Sequence, residues 1–161
     1  MKTVICRGVH GESEEVPVDA LSFRPSVYGV IIKDDKVLLS RQWDGYDFPG
    51  GGVDLGETLE EALEREIKEE TGLSAKKDKL VLVKEDFFTH PGTKKHFQSI
   101  LLYFSCKDVS GDISTDGFDE HEKTYAKEAQ WIPLGEIDKL KFYNPIDSVA
   151  LIRTVKDGKG V

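Results

Sequence analysis

Residues Gly51 to Leu73 read GGVDLGETLEEALEREIKEETGL, and where a helix places the carboxylates of this stretch decides the fold. A helix over residues 58–71 turns about 100° per residue, so Leu59, Ala62 and Leu63 share one face. Glu66, Glu69 and Glu70 continue that face, pointing inward where apolar side chains are expected. Glu60, Glu61 and Glu64 fall with Lys68 on the far side, the solvated stripe of an amphipathic helix. Like charges at this spacing repel by roughly 0.2–0.5 kcal/mol on an exposed helix, and by more where the dielectric is lower. Arg65 reaches Glu61 and Glu69 at four-residue spacing, but one guanidinium does not neutralise the inward acids. Hard divalent cations bound through oxygen do so, and Mg²⁺ suits a few carboxylates together with water and a phosphate-bearing substrate. The competing reading is a charged surface helix whose acids are simply solvated.

The flanking residues favour the first reading. Asp47-Phe48-Pro49-Gly50-Gly51-Gly52 precedes the helix and Gly56 and Gly72 bracket it, which concentrates backbone freedom where main chain must approach a phosphate or a metal. Gly51, five residues, Glu57, seven residues, Arg65-Glu66-Ile67, one residue, Glu69-Glu70, one residue and Gly72-Leu73 match every fixed position of the Nudix box. The chain therefore resembles a Nudix hydrolase.

That resemblance implies an α/β fold: an α/β/α sandwich around a central mixed sheet, with the box as a loop-helix-loop on one side and a C-terminal helix on the other. It implies cleavage of the pyrophosphate bond of a nucleoside diphosphate derivative, with a nucleoside triphosphate as the default substrate. By position, Glu66, Glu69 and Glu70 would ligate Mg²⁺, or Mn²⁺ in its place, with Glu57 as a further ligand or a partner behind the ligands. The Gly51 carbonyl would complete a metal shell. Arg65 would orient a carboxylate, and Glu69 or Glu70 would also accept the proton of water. Family members differ in whether the base lies in the box or in a later loop, so Glu120, Glu122 and Glu128 are alternatives. Ile67 and Leu73 would anchor the box to the sheet. Pro91 lies further past Leu73 than the proline that marks the ADP-ribose group. The basic motif expected upstream of Phe48-Pro49-Gly50-Gly51 in coenzyme A pyrophosphatases is missing.

Two other classes compete with hydrolysis. A nucleotide-binding module without turnover has no need of all three inward acids. An isoprenoid diphosphate isomerase of the same fold needs a nucleophilic cysteine, and neither Cys6 nor Cys106 sits in a recognisable motif for it.

Composition sets the outer bounds. At 161 residues and 39% hydrophobic content, residues 1–161 are read as a single domain, with residues 1–22 as an extension that adds a strand near Thr3 to Cys6. The net charge of −8, with no local Lys/Arg cluster, disfavours nucleic acid backbones and anionic membranes as partners. A small nucleotide is the expected ligand, and a monomer and a homodimer both stay open. No stretch reads as a signal peptide or a membrane span, so a cytoplasmic location is expected. The two cysteines imply neither a disulfide framework nor a zinc site.

Periodicity supplies the remaining elements. Val27 to Ile32 and Lys36 to Ser40 read as a hairpin turning at Asp34-Asp35. Lys79 to Phe88 and His96 to Cys106 form a second, turning at His90-Pro91-Gly92-Thr93. Gln130 to Ile132 is a short strand, followed by a helical turn at Leu134 to Ile137. A C-terminal helix is expected with Asn144 as N-cap, Pro145 at its first position, Ile146, Val149, Ala150 and Val155 inward, and Gly158 as its end. Acidic residues 111–127 read as a long loop. Arg41, Trp43 and Phe48, on the approach to the glycine loop, are candidate substrate contacts.

Overall fold

The computed structural model describes residues 1–160. The central hairpin is built by β3 (Leu21–Lys33) and β4 (Lys36–Gln42). Asp34 and Asp35 both take left-handed φ, 51° and 55°, which gives the two-residue turn the twist that flanking strands require. β3 then runs parallel to β8 (His96–Ser110), which pairs antiparallel with β7 (Ser74–Thr89). Outside β7 lies an N-terminal hairpin of β1 (Thr3–Arg7) and β2 (Ser13–Pro17), with β1 parallel to β7 at the Arg7 and Phe88 positions. The order β2-β1-β7-β8-β3-β4 is closed at the far edge by β5 (Gly45–Asp47). β6 (Gly50–Gly52) pairs with β3, and β9 (Ala126–Pro133) with β4. The sheet is thus mixed, as expected.

Alternation along β3 sends side chains to two cores. Val27 and Ile31 pack with Ala62, Leu63 and Ile67 of α1 (Leu59–Thr71). Val30 packs with Leu151 and Ile152 of α2 (Ser148–Lys156), so the helices cover opposite faces. Each fully buried Leu or Ile contributes roughly 1.5–3 kcal/mol of transfer free energy. Ile67 and Leu73 are both buried in the first core, as the anchoring role requires.

α1 starts at Thr58, whose hydroxyl accepts from Glu61 N–H while the Glu61 carboxylate accepts from Thr58 N–H. This capping box satisfies two donors that a helix start leaves orphaned. The helix ends at Gly72, with φ 80°, a conformation that a side chain would strain. Leu59 was expected on the buried face but is 39% exposed, at the first position of the helix.

The C-terminal helix begins later than the sequence suggests. Asp147, not Asn144, is its N-cap, accepting from Ala150 N–H at 3.0 Å, and Asn144 and Pro145 stay in the preceding bend. The later start rotates the buried stripe: Ser148, Leu151 and Ile152 are buried, Ile146, Val149 and Val155 pack partly, and Ala150 is exposed. Asn144 is drawn away by its own hydrogen bonds, donating to Asp47 at 3.0 Å and accepting from Ser148 at 2.7 Å. β9 begins at Ala126 rather than Gln130, because pairing with β4 extends to Gln42. Residues 111–125 remain loop except for one 3₁₀ turn at Glu122–Thr124. Both cysteines are free thiols, and among the described residues no helix is long and apolar enough to cross a membrane.

Candidate active site

A cavity of about 570 Å³ lies between the inward acids of α1 and the floor formed by β3, β7 and β8. Glu66, Glu69 and Glu70 all border it, together with Gly50 and Gly51. The three acids are not equally enclosed. Glu70 is partly buried, the Glu66 side chain is 12% exposed, and that of Glu69 is 41% exposed. The inward face therefore fades toward Glu69, which lies at the cavity rim.

Each carboxylate has its own neighbours. Glu70 Oε2 accepts from Ser40 Oγ at 3.0 Å and from Gly50 N–H at 3.1 Å. Burial raises the Glu70 carboxyl well above its ordinary value and the Glu66 charge adds to this, which those two hydrogen bonds only partly oppose. Burial also raises Glu66, against the attraction of Arg65. Arg65 Nη1 donates to Glu66 at 2.8 Å and to Glu69 at 3.3 Å. Its Nε and Nη2 hold Glu57 at 3.0 and 3.2 Å, and Nη2 also donates to the Gly52 carbonyl at 3.1 Å. Arg65 so ties the helix to the glycine loop. At Gly51 a Cβ would stand 2.7 Å from the Glu66 carboxylate, so only glycine allows this approach.

These oxygens suit a hard divalent cation: buried carboxylates with raised pKa values indicate missing positive charge. Among the described residues, no group of three or more His, Cys, Asp or Glu side chains is arranged to hold one ion. The donor set fits the mode usual for Mg²⁺, one or two carboxylates completed by water and substrate phosphate, rather than a closed protein cage.

The other expected residues are distributed unevenly. Trp43 and Phe48 border the cavity. Trp43 takes φ 48°, rare for a bulky residue, where its N–H donates to the Tyr125 carbonyl at 3.0 Å and its ring stacks on Tyr125 at 4.8 Å. Arg41 borders a smaller recess with Glu70 and Glu122, its guanidinium 5.9 Å from the centre of the Tyr46 ring. Of the loop acids, Glu122 borders the cavity and burial raises its carboxyl. Glu120 is 92% exposed and paired with Lys123 at 2.7 Å, and Glu128 is exposed on β9; neither borders the cavity. The loop is seated against α1, since a Cβ on Gly117 would stand 2.6 Å from the Glu69 carbonyl.

Sequence reasoning missed the floor. Asp47 is partly buried, and burial pushes its carboxyl up to about 6 although Asn144 and Phe48 N–H donate to it at 3.0 and 2.7 Å. Asp86 on β7 holds Arg7 of β1 through two bonds, 2.9 Å to Nε and 2.7 Å to Nη2, while Arg7 Nη1 donates to the Tyr143 carbonyl at 3.2 Å. The alternation of Ser99, Leu101 and Tyr103 on β8 was a readable sign of a shared face. That it lines a cavity follows only from pairing with β7 and β3.

The NUDIX domain profile matches residues 22–153. An ADP-ribose pyrophosphatase of Methanocaldococcus jannaschii is 36% identical over 122 residues, which cover 73% of this chain and 66% of the relative's own length. An RNA pyrophosphohydrolase of Sphingopyxis alaskensis is 30% identical, covering 76% of this chain and 85% of that one. Among solved structures, the MutT protein of Bacillus halodurans superposes with a TM-score of 0.65 at 20% identity, over 86% of this chain and 85% of the other. At that identity the likeness carries the fold alone. Fold, box and profile agree, and the chain belongs to the NUDIX family.

Proposed function

We propose that the chain, acting as one domain, is a Mg²⁺-dependent hydrolase that splits the P–O–P link of a nucleoside diphosphate derivative, with a nucleoside triphosphate as its leading substrate. The observation that carries this is Glu70, a partly buried carboxylate on the cavity wall that forms no ion pair among the described residues and whose carboxyl burial raises well above its ordinary value. One or two of Glu66, Glu69 and Glu70, with the Gly51 carbonyl, would hold the cation together with water and substrate phosphate, and Arg65 sets Glu66 and Glu69 while anchoring on Glu57. Mn²⁺ would serve in the same oxygen set. When bound, the cation neutralises non-bridging phosphate oxygens, which otherwise repel the attacking water.

Water adds to one phosphorus, the bridging P–O bond breaks, and the freed phosphate leaves with the electron pair of that bond. The proton of water passes to a carboxylate bordering the cavity, Glu69 on the helix or Glu122 on the loop. Trp43 supplies apolar surface for the nucleoside, with Phe48 buried behind the cavity wall, and Arg24, which also borders the cavity, supplies charge for the phosphates. The names of the relatives bring ADP-ribose and RNA into consideration as well. The test is release of phosphate or pyrophosphate from nucleoside triphosphates and 5′-triphosphorylated RNA, and of a nucleoside monophosphate with a sugar phosphate from nucleotide sugars and ADP-ribose, in Mg²⁺, with Glu70→Gln as control. Release by the wild type alone supports hydrolysis; no release from any substrate sinks it and leaves the binding-module reading.

A further inference from the structure

A circuit of side chains borders the cavity and closes on itself. The Trp43 ring stacks on Tyr125 at 4.8 Å, Tyr125 meets His121 at 5.3 Å, and His121 meets His90 at 5.6 Å. Phe88 lies 6.4 Å from His90, and Arg7 sits over the Phe88 ring at 5.1 Å. Arg7 also donates to the Tyr143 carbonyl at 3.2 Å, and the Tyr143 ring returns to Trp43 at 5.2 Å. Every member of the circuit borders the cavity.

His90 and His121 form the one joint of this circuit whose two members both ionise near neutral pH. Their contact seats residues 111–125 on the turn that follows β7. The loop is held at its ends, where Ser114 N–H donates to the Thr71 carbonyl at 2.9 Å and Trp43 N–H to the Tyr125 carbonyl at 3.0 Å. Between these anchors it reaches the turn so closely that a Cβ on Gly92 would stand 2.6 Å from the His121 ring.

His90 is held in one tautomer. Its Nδ1 accepts from Gly92 N–H at 3.2 Å and from Thr93 N–H at 3.1 Å, which requires a bare lone pair, so the proton of the neutral ring is on Nε2. A second proton would have to enter at Nδ1 and would face two N–H donors where an acceptor is needed. The surroundings oppose it too. Burial lowers the His90 pKa below its ordinary 6.5, and the charges of His121 and Arg24 lower it further. The remaining ionic groups nearby are engaged elsewhere. The Asp119 and Glu122 carboxylates each accept from the other's backbone N–H, the charge of Lys94 acts on Glu12, and His96 is bonded to Thr89 at 3.0 Å beside Glu14.

We propose that the contact between His90 and His121 is a proton-operated latch on the entrance to the cavity, shut while His90 is neutral and released when His90 takes up a proton. The shut form disfavours that proton, so it is at full strength above the ordinary imidazole value and weakens as pH falls below it. Acid thereby loosens the seat of residues 119–124, which carry Glu122, beside the cavity. The latch governs access and goes beyond the hydrolase reading, since it acts on whatever ligand the cavity takes.

Nuclear magnetic resonance of the free wild type tests this without a ligand. At about pH 7.5 the ring nitrogens of His90 should report the Nε2–H tautomer, and the Gly92 α-protons should cross-relax with the His121 ring; by about pH 5 His90 should be charged and that cross-peak reduced by about half or more. His90→Asn is the control, because its side-chain oxygen still accepts from the N–H groups of the turn but takes no proton in this range. In that variant the Gly92–His121 cross-peak should persist in acid. A neutral His90 ring with its proton on Nδ1, or a wild-type cross-peak undiminished at about pH 5, overturns the proposal. Equal acid loss of the cross-peak in wild type and His90→Asn does so as well, since His90 would then not be the group that releases the loop.

Discussion

Arg7 and Asp86 join the N-terminal hairpin to the body of the sheet through a two-armed ion pair, with the Asp86 side chain only 8% exposed and that of Arg7 31% exposed. Removing one member strands the other. Arg7→Ala should lower unfolding stability by about 3 kcal/mol, the low end for a broken buried pair because Arg7 keeps some contact with water. Pairing it with Asp86→Leu should recover part of that loss. Urea unfolding of both variants checks it, and a double variant weaker than the single one contradicts the stranded-charge account.

Glu70→Gln should abolish turnover while leaving the fold intact. The raised carboxyl means that the native state holds the Glu70 proton to higher pH than the unfolded chain, so Glu70 withdraws stability as pH rises through its native value. The variant should accordingly gain on the wild type as pH increases in the absence of metal. Mg²⁺ at a hundredfold its dissociation constant should stabilise the wild type by about 2.7 kcal/mol and the variant by much less. Equal Mg²⁺ shifts in the two melting curves would count against Glu70 as a ligand.

Asp47 makes a separate pH prediction. Its ordinary value is 3.8 and its folded value about 6, so between these values the native state binds more protons than the unfolded one and stability falls as pH rises. A shift of this size corresponds to about 3 kcal/mol, all of it present by about pH 7. Asp47→Asn keeps an acceptor for Phe48 N–H and Asn144 but cannot ionise. Its advantage over wild type should therefore appear between pH 4 and 7, read as the difference in unfolding free energy; a flat difference would remove Asp47 as the cause.

Gly51→Ala pushes a methyl group to 2.7 Å from the Glu66 carboxylate. The carboxylate or the loop has to move, at a cost of about 1–3 kcal/mol, and kcat should fall at least tenfold, the usual consequence of displacing a charged group at the reaction centre. Steady-state kinetics with full wild-type kcat would show that Glu66 tolerates displacement.

Thr58→Ala removes one half of the capping box and should cost about 1 kcal/mol with little change in KM. Thermal unfolding and a substrate titration measure the two separately.

How much of this the chain displays in its order of residues depends on the range of the interactions. The helix of the box was legible because its apolar and acidic positions repeat locally. The hairpins were legible for the same reason, and the Asp34-Asp35 turn lies where it was expected. Thr58 and Glu61 were readable as a cap at three-residue spacing but passed unnoticed. The start of α2 was misplaced because Asn144 and Asp147 are both good caps, and a distant residue, Asp47, decides between them by binding Asn144. β2 carries only one buried side chain, Val16, and has no alternation to reveal it. The cavity floor was invisible, since Arg7, Asp47, Asp86 and Tyr103 meet through strand register alone.

The hairpin of residues 3–17 belongs to the same chain as the acidic helix but touches the other end of the cavity. The hairpin borders that end through Arg7 and Val9 only, far in sequence from the carboxylates of the helix, so its residues can change without altering the spacing of those acids.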